Sequence, residues 1–124
     1  MSPDRLAVLL VGYFPGDEKD FAARMDAAAD QLTARGAHVT GRIVQRRGVS
    51  HGGVRKMALP LSPRTVLGPG KVREAADLRE RTGAQLAIFV APSALTERQR
   101  SALTEALGCP VVTLAEALER HFGR

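Results

Sequence analysis

Gly68-Pro69-Gly70-Lys71 is the stretch of this sequence best suited to holding an anion. A short β-branched piece, Thr65-Val66-Leu67, runs into the two glycines, and a helical pattern opens at Lys71. Glycine lets the backbone turn tightly or approach a ligand closely. Pro69 carries no N–H and suits a turn or a first helical position. The free N–H groups of a first helical turn, with a lysine beside them, attract phosphate. A tight strand-to-helix turn with a solvated lysine is the structural alternative.

The turn is not a nucleotide P-loop. Counting from Gly70-Lys71, Thr65 stands where the first glycine belongs and Val72 where Ser or Thr belongs. Nor is it a dinucleotide fingerprint, because Arg73 occupies the third glycine position.

Around this turn lies a second chemical signal. From Gln31 to Arg73 the chain has no Asp or Glu, while half of its 18 Lys and Arg fall there. They are Arg35, Arg42, Arg46, Arg47, Arg55, Lys56, Arg64, Lys71 and Arg73. With a net charge of +5, such a block favours a polyanion and above all nucleic acid. Its alternative is a solvated basic face that serves solubility.

Catalytic chemistry finds little support. His38, His51 and His121 are far apart and lack paired metal-ligand spacing. There is no Gly-x-Ser-x-Gly elbow, and Ser50 and Ser93 have no evident base. Asp17 and Glu18 precede a helix, where carboxylates favour the dipole. Glu97 and Glu105 read as helix-surface residues. Cys109 is the only cysteine, sits before Pro110 and an apolar run, and reads as a small buried hydrophobe. A single cysteine fits a reducing, cytoplasmic location.

The elements that must position these residues alternate. Leu6 to Val11 is an apolar run ended by Gly12, the pattern of a central parallel strand. Tyr13-Phe14-Pro15-Gly16 reads as a loop, and Asp17 as the cap of a helix through Phe21, Met25, Ala28, Ala29 and Leu32, stopped at Gly36. Val39 to Arg47 is a second strand, with Val39, Ile43 and Val44 as its apolar members. Residues 48–63 form a long, basic, flexible loop able to order on a polyanion. A helix from Pro69 to Arg81 turns Val72, Ala75 and Leu78 inward. Leu86 to Val90 is a third strand, broken by Pro92. Thr96 with Gln99 makes a capping-box pattern, opening a helix with Leu95, Gln99, Ala102, Leu103 and Ala106 on one face. Val111-Val112 and a last helix through Leu114, Ala117, Leu118 and Phe122 complete the chain.

This order predicts an α/β protein: residues 1–124 as one three-layer domain, a mostly parallel four-stranded sheet with helices on both faces. A composition of 44% apolar and 25% charged residues agrees with a globular chain, and no apolar run approaches membrane-spanning length. Ligands in such folds sit at the carboxyl ends of strands.

Three segments in sequence carry a resemblance: Val44-Gln45-Arg46-Arg47, then Arg64 through Val72, then Leu95-Thr96-Glu97-Arg98-Gln99. Together they resemble the N-terminal domain of the HflX family of ribosome-associated GTPases, over about Leu6 to Arg124. The resemblance implies a free-standing copy of the first subdomain, without helical hairpin or GTPase motifs, so GTP hydrolysis is not carried over. It implies RNA or the large ribosomal subunit as partner, with ATP or another nucleotide as the alternative ligand and no other cofactor. The chain departs from the family at Arg100-Ser101-Ala102 and at Thr113 to Ala117.

The expected nucleic-acid contacts are Arg46, Arg47, Arg55, Lys56, Arg64 and Lys71. The expected phosphate site is Gly68, Gly70 and Lys71. A non-catalytic RNA- or ribosome-binding module is the first reading. A nucleotide- or phosphate-binding protein and a dimeric accessory subunit are the alternatives.

Overall fold

The computed structural model describes residues 5–47, 65–91 and 94–122. The expected loop at 48–63, with Arg55 and Lys56, lies outside them, as do Arg64 and the side chain of Arg47.

Four strands and four helices alternate along the chain. They are β1 (Ala7–Pro15), α1 (Phe21–Ala34), β2 (His38–Arg47), α2 (Pro69–Thr82), β3 (Leu86–Val90), α3 (Glu97–Leu107), β4 (Val111–Thr113) and α4 (Leu114–Glu116). A π-helical turn, Ala117–His121, continues α4. The strands form one parallel sheet in the order β2-β1-β3-β4. This is the expected α/β class, with helices on both faces.

Alternation along the strands divides the core in two. Leu9, Val11 and Tyr13 of β1 join Ala87 and Phe89 of β3 beneath α2 and α3. Val8, Leu10 and Phe14 join Leu86, Ile88 and Val90 beneath α1 and the C-terminal helix. Both central strands are covered on both faces, which explains their unbroken apolar runs. Cys109 lies buried in the first of these clusters, as expected.

Strand β1 runs further than the sequence suggests. Tyr13-Phe14-Pro15 is strand rather than loop, paired with Gln45, Arg46 and Arg47 of β2. Gly12 does not end it. A Cβ there would meet Met25 Sδ at 2.7 Å and Phe14 Cε2 at 2.8 Å, so this glycine answers a packing need. Pairing with β3 stops at Gly12–Val90, and β1 continues with β2 alone.

Helix starts differ from one another. Asp17 does not cap α1. The cap position falls to Asp20, whose side chain makes no capping bond. Glu18 Oε2 accepts instead from the Asp20 amide at 3.3 Å. The capping box at α3 forms as its sequence predicts: Gln99 N donates to Thr96 Oγ1 at 3.1 Å, and Thr96 N donates to Gln99 Oε1 at 3.0 Å. The inward face of α3 holds Gln99, Ala102, Leu103 and Leu107, with Ala106 turned out. An equivalent box, Thr113 with Glu116, opens α4.

One irregularity sets the faces of β2. The register skips between Val8–Val39 and Leu9–Gly41, which leaves Thr40 as the extra residue of a bulge. The Thr40 hydroxyl lies 3.1 Å from the Val8 carbonyl and 3.2 Å from Thr82 Oγ1. Beyond it Gly41 packs on Leu78 of α2, and Ile43 joins the core on that side. Val39 and Val44 pack on the α1 side.

Candidate functional site

All four helices begin at the carboxyl rim of the sheet, where parallel folds bind ligands. The starts of α1 and α2 both lack a side-chain cap bond and an acid in the first turn, and α2 alone has a glycine at the cap position. Gly68, the N-cap residue, offers no side chain; Pro69 follows, and the first turn holds no acid. Orphan N–H groups of a first turn are ordinarily met by a cap, water or ligand. A Cβ built on Gly70 would meet nothing within 4 Å, so the turn is open at that position.

Two devices hold the turn. Gln45, at the end of β2, accepts the Gly68 amide through Oε1 at 2.9 Å. Just before it, Leu67 N donates to the Thr65 carbonyl at 2.7 Å across Val66, whose φ is 69°. The expected β-branched strand piece is therefore a γ-turn of the rarer, strained hand. A β-branched residue at positive φ is a real conformational outlier, and it persists only where packing imposes it. Val66 and Leu67 are both buried in the core beneath α2, which supplies that packing.

The expected contact residues are distributed as follows. Lys71 stands beside the turn, 3.1 Å from Glu74 of its own helix. Arg46 lies at the same rim but on the other side of the sheet. Its Nη2 donates to the Gly16 carbonyl at 2.6 Å and the Glu18 carbonyl at 3.1 Å. Its guanidinium also sits 4.3 Å from the Phe21 ring centroid. Neighbouring positions on β2 thus diverge: Gln45 serves α2, and Arg46 serves the start of α1. Arg42, also in the acid-free block, reaches Asp26 of α1 at 2.7 Å. Carboxylates absent from the block in sequence approach it in space.

The sequence reading missed two residues at this rim. Gln45 lies within the Val44–Arg47 segment, and its residue type carries no sign of its bond to the Gly68 amide. Arg24, on the first turn of α1, had no signal beyond its helical position. Its guanidinium lies 5.3 Å from the Phe14 ring centroid and 3.4 Å from Glu18 Oε1.

The strongest ion pair is structural. Arg100 Nη1 and Nη2 each reach a different oxygen of Glu116 at 2.7 Å, and Nη1 also donates to the Val111 carbonyl at 3.0 Å. The Arg100 bonds and the Thr113 amide pull the Glu116 carboxyl down to about 2. The same Glu116 bonds raise Arg100 above its ordinary value. Burial raises the Cys109 thiol, so it is held protonated. Among the described residues no cluster of His, Cys, Asp and Glu could hold a metal ion. None of their helices is long and apolar enough to cross a membrane.

Compared with protein-family models and with curated proteins, the chain matches none.

Proposed function

We propose that this protein is a non-catalytic RNA-binding module, working as the HflX N-terminal domain it resembles, with the large ribosomal subunit as its target. The uncapped, acid-free start of α2 beside the basic block carries this reading. Phosphates would be met by the Gly70 and Lys71 amides, the Lys71 ammonium and the arginines of the block. The Lys71–Glu74 and Arg42–Asp26 pairs do not oppose it. Both have largely exposed carboxylates, and exposed pairs of this kind are worth about 0–1 kcal/mol, less than a phosphate contact can return. Arg46 stands apart, because its donors already hold the β1–α1 connection.

The test is fluorescence anisotropy with ribosomal RNA, together with co-sedimentation on large ribosomal subunits. Affinity should fall steeply with salt, as counterion release requires. A triple Arg55→Ala, Lys56→Ala, Arg64→Ala variant should bind more weakly with a shallower salt dependence. Absence of binding at low salt refutes the proposal.

A second reading rests on the same open turn: a nucleotide whose phosphate sits on the α2 amides. ATP would then raise the melting temperature, and Lys71→Ala would abolish the rise. An unchanged melting temperature at millimolar ATP rules this out.

A further inference from the structure

The two faces of the sheet are closed differently. Helices α2 and α3 pack against each other on one face. On the other, α1 and α4 leave a cleft of about 260 Å³ over the carboxyl end of β3. Its lining includes Arg24 of α1, Val90 and Ala91 at the end of β3, Thr113, and Leu114 and Ala115 of α4. The cleft lies beside the reversal in strand order between β1 and β3. Open α/β sheets bind ligands at such switch points.

Its chemistry is one-sided. Among the described residues, its lining side chains are apolar except for Arg24 and Thr113. The Arg24 guanidinium has one carboxylate near it, Glu18, at 3.4 Å, and its side chain remains 42% exposed. Thr113 Oγ1 accepts from the Glu116 amide at 3.2 Å, and its hydroxyl also supports the Glu116 carboxylate, so Thr113 lines the cleft without a donor to spare. One cationic fork over a mainly apolar floor matches a carboxylate borne on a small apolar body. A doubly charged phosphate fits less well. Its second charge would face Glu18, and among the described lining residues there is no further cation to meet it.

We infer that this cleft binds a small organic monocarboxylate, with its carboxylate on Arg24 and its apolar body against Val90 and Leu114. The site is separate from the α2 turn, which lies on the opposite face of the sheet. RNA takes no part in its test, so the outcome does not depend on the RNA-binding reading.

The probes are benzoate and hexanoate, each paired with its neutral amide, benzamide or hexanamide. Thermal shift and amide NMR titration of the whole chain supply the readouts. The carboxylates should raise the melting temperature and move the amide signals of Ala91, Leu114 and Ala115, while the neutral amides do so far less. Arg24→Gln should weaken carboxylate binding about tenfold, the usual order for one lost charge-assisted contact. Glu18→Gln, which retains an acceptor for the Asp20 amide, should tighten it by freeing the guanidinium. Ala115→Met narrows the cleft from an exposed helical position and should weaken binding with little change in stability. Equal responses to acid and amide, unchanged binding in Arg24→Gln, or no response at high millimolar carboxylate would overturn the inference.

Discussion

Arg100 of α3 and Glu116 of α4 meet as a two-pronged ion pair, each guanidinium nitrogen 2.7 Å from its own carboxylate oxygen. The pair ties the last helix to α3 across β4. Glu116 has a folded value of about 2 against an ordinary 4.5, so it binds a proton less readily in the folded state. Its contribution is present above pH 4.5 and disappears as pH falls toward 2. Glu116→Gln should therefore cost about 1–2 kcal/mol near neutrality, with glutamine still serving the Thr113 amide. The cost should shrink to nothing in acid. Denaturant unfolding of both proteins across this pH range checks it; a pH-independent difference contradicts the assignment.

The Gln45–Gly68 bond predicts a selective loss. Gln45→Leu leaves the Gly68 amide without its acceptor and should cost about 1–3 kcal/mol. Gln45→Glu keeps an oxygen and should recover most of it. Hydrogen exchange at the Gly68 amide should quicken in the leucine variant alone.

Val66 should reverse a familiar order. Glycine usually destabilises relative to alanine, but at a φ of 69° alanine retains the strain that glycine relieves. Val66→Gly also gives up the buried Cβ that alanine keeps, about 0.8 kcal/mol that offsets part of the relieved strain. Val66→Gly should still be no less stable than Val66→Ala. Paired unfolding curves decide this, and the opposite order would remove the γ-turn from the description.

Arg46 and Lys71 should separate as position and contact. Arg46→Gln removes two carbonyl contacts and the stack on Phe21, and should lower stability by about 1 kcal/mol or more. Lys71→Ala should change stability by less than about 0.5 kcal/mol, since it loses only an exposed pair. On RNA, Lys71→Ala should weaken binding and flatten the salt dependence. Melting curves and anisotropy on the same two variants test both statements.

Gly70→Ala isolates the open turn. No neighbouring atom would be displaced, so the fold should hold within about 0.5 kcal/mol. A loss of anion or RNA affinity in a variant of unchanged melting temperature would report close approach of the ligand to the backbone there.

Much of the architecture follows from local rules acting on short segments. The apolar runs of β1 and β3, the glycines at positions 36, 83 and 108, and the Thr96–Gln99 box fix the order and type of the elements, because each depends on neighbours in the chain. Alternation of strand and helix then requires a parallel sheet. The glycine turn was legible for the same reason. Other features depended on contacts between distant segments. Val39 and Ile43 share a parity that reads as one face, yet the bulge at Thr40 sends them to opposite cores. That single extra residue also decides that Gln45 meets α2 while Arg46 meets α1. Asp26, outside the block in sequence, reaches its Arg42 from α1. Linear charge patterning determined where cations are dense. Only packing determined which of them acquire a partner, because ion pairing depends on distance in space and the sheet brings together residues that the chain keeps apart.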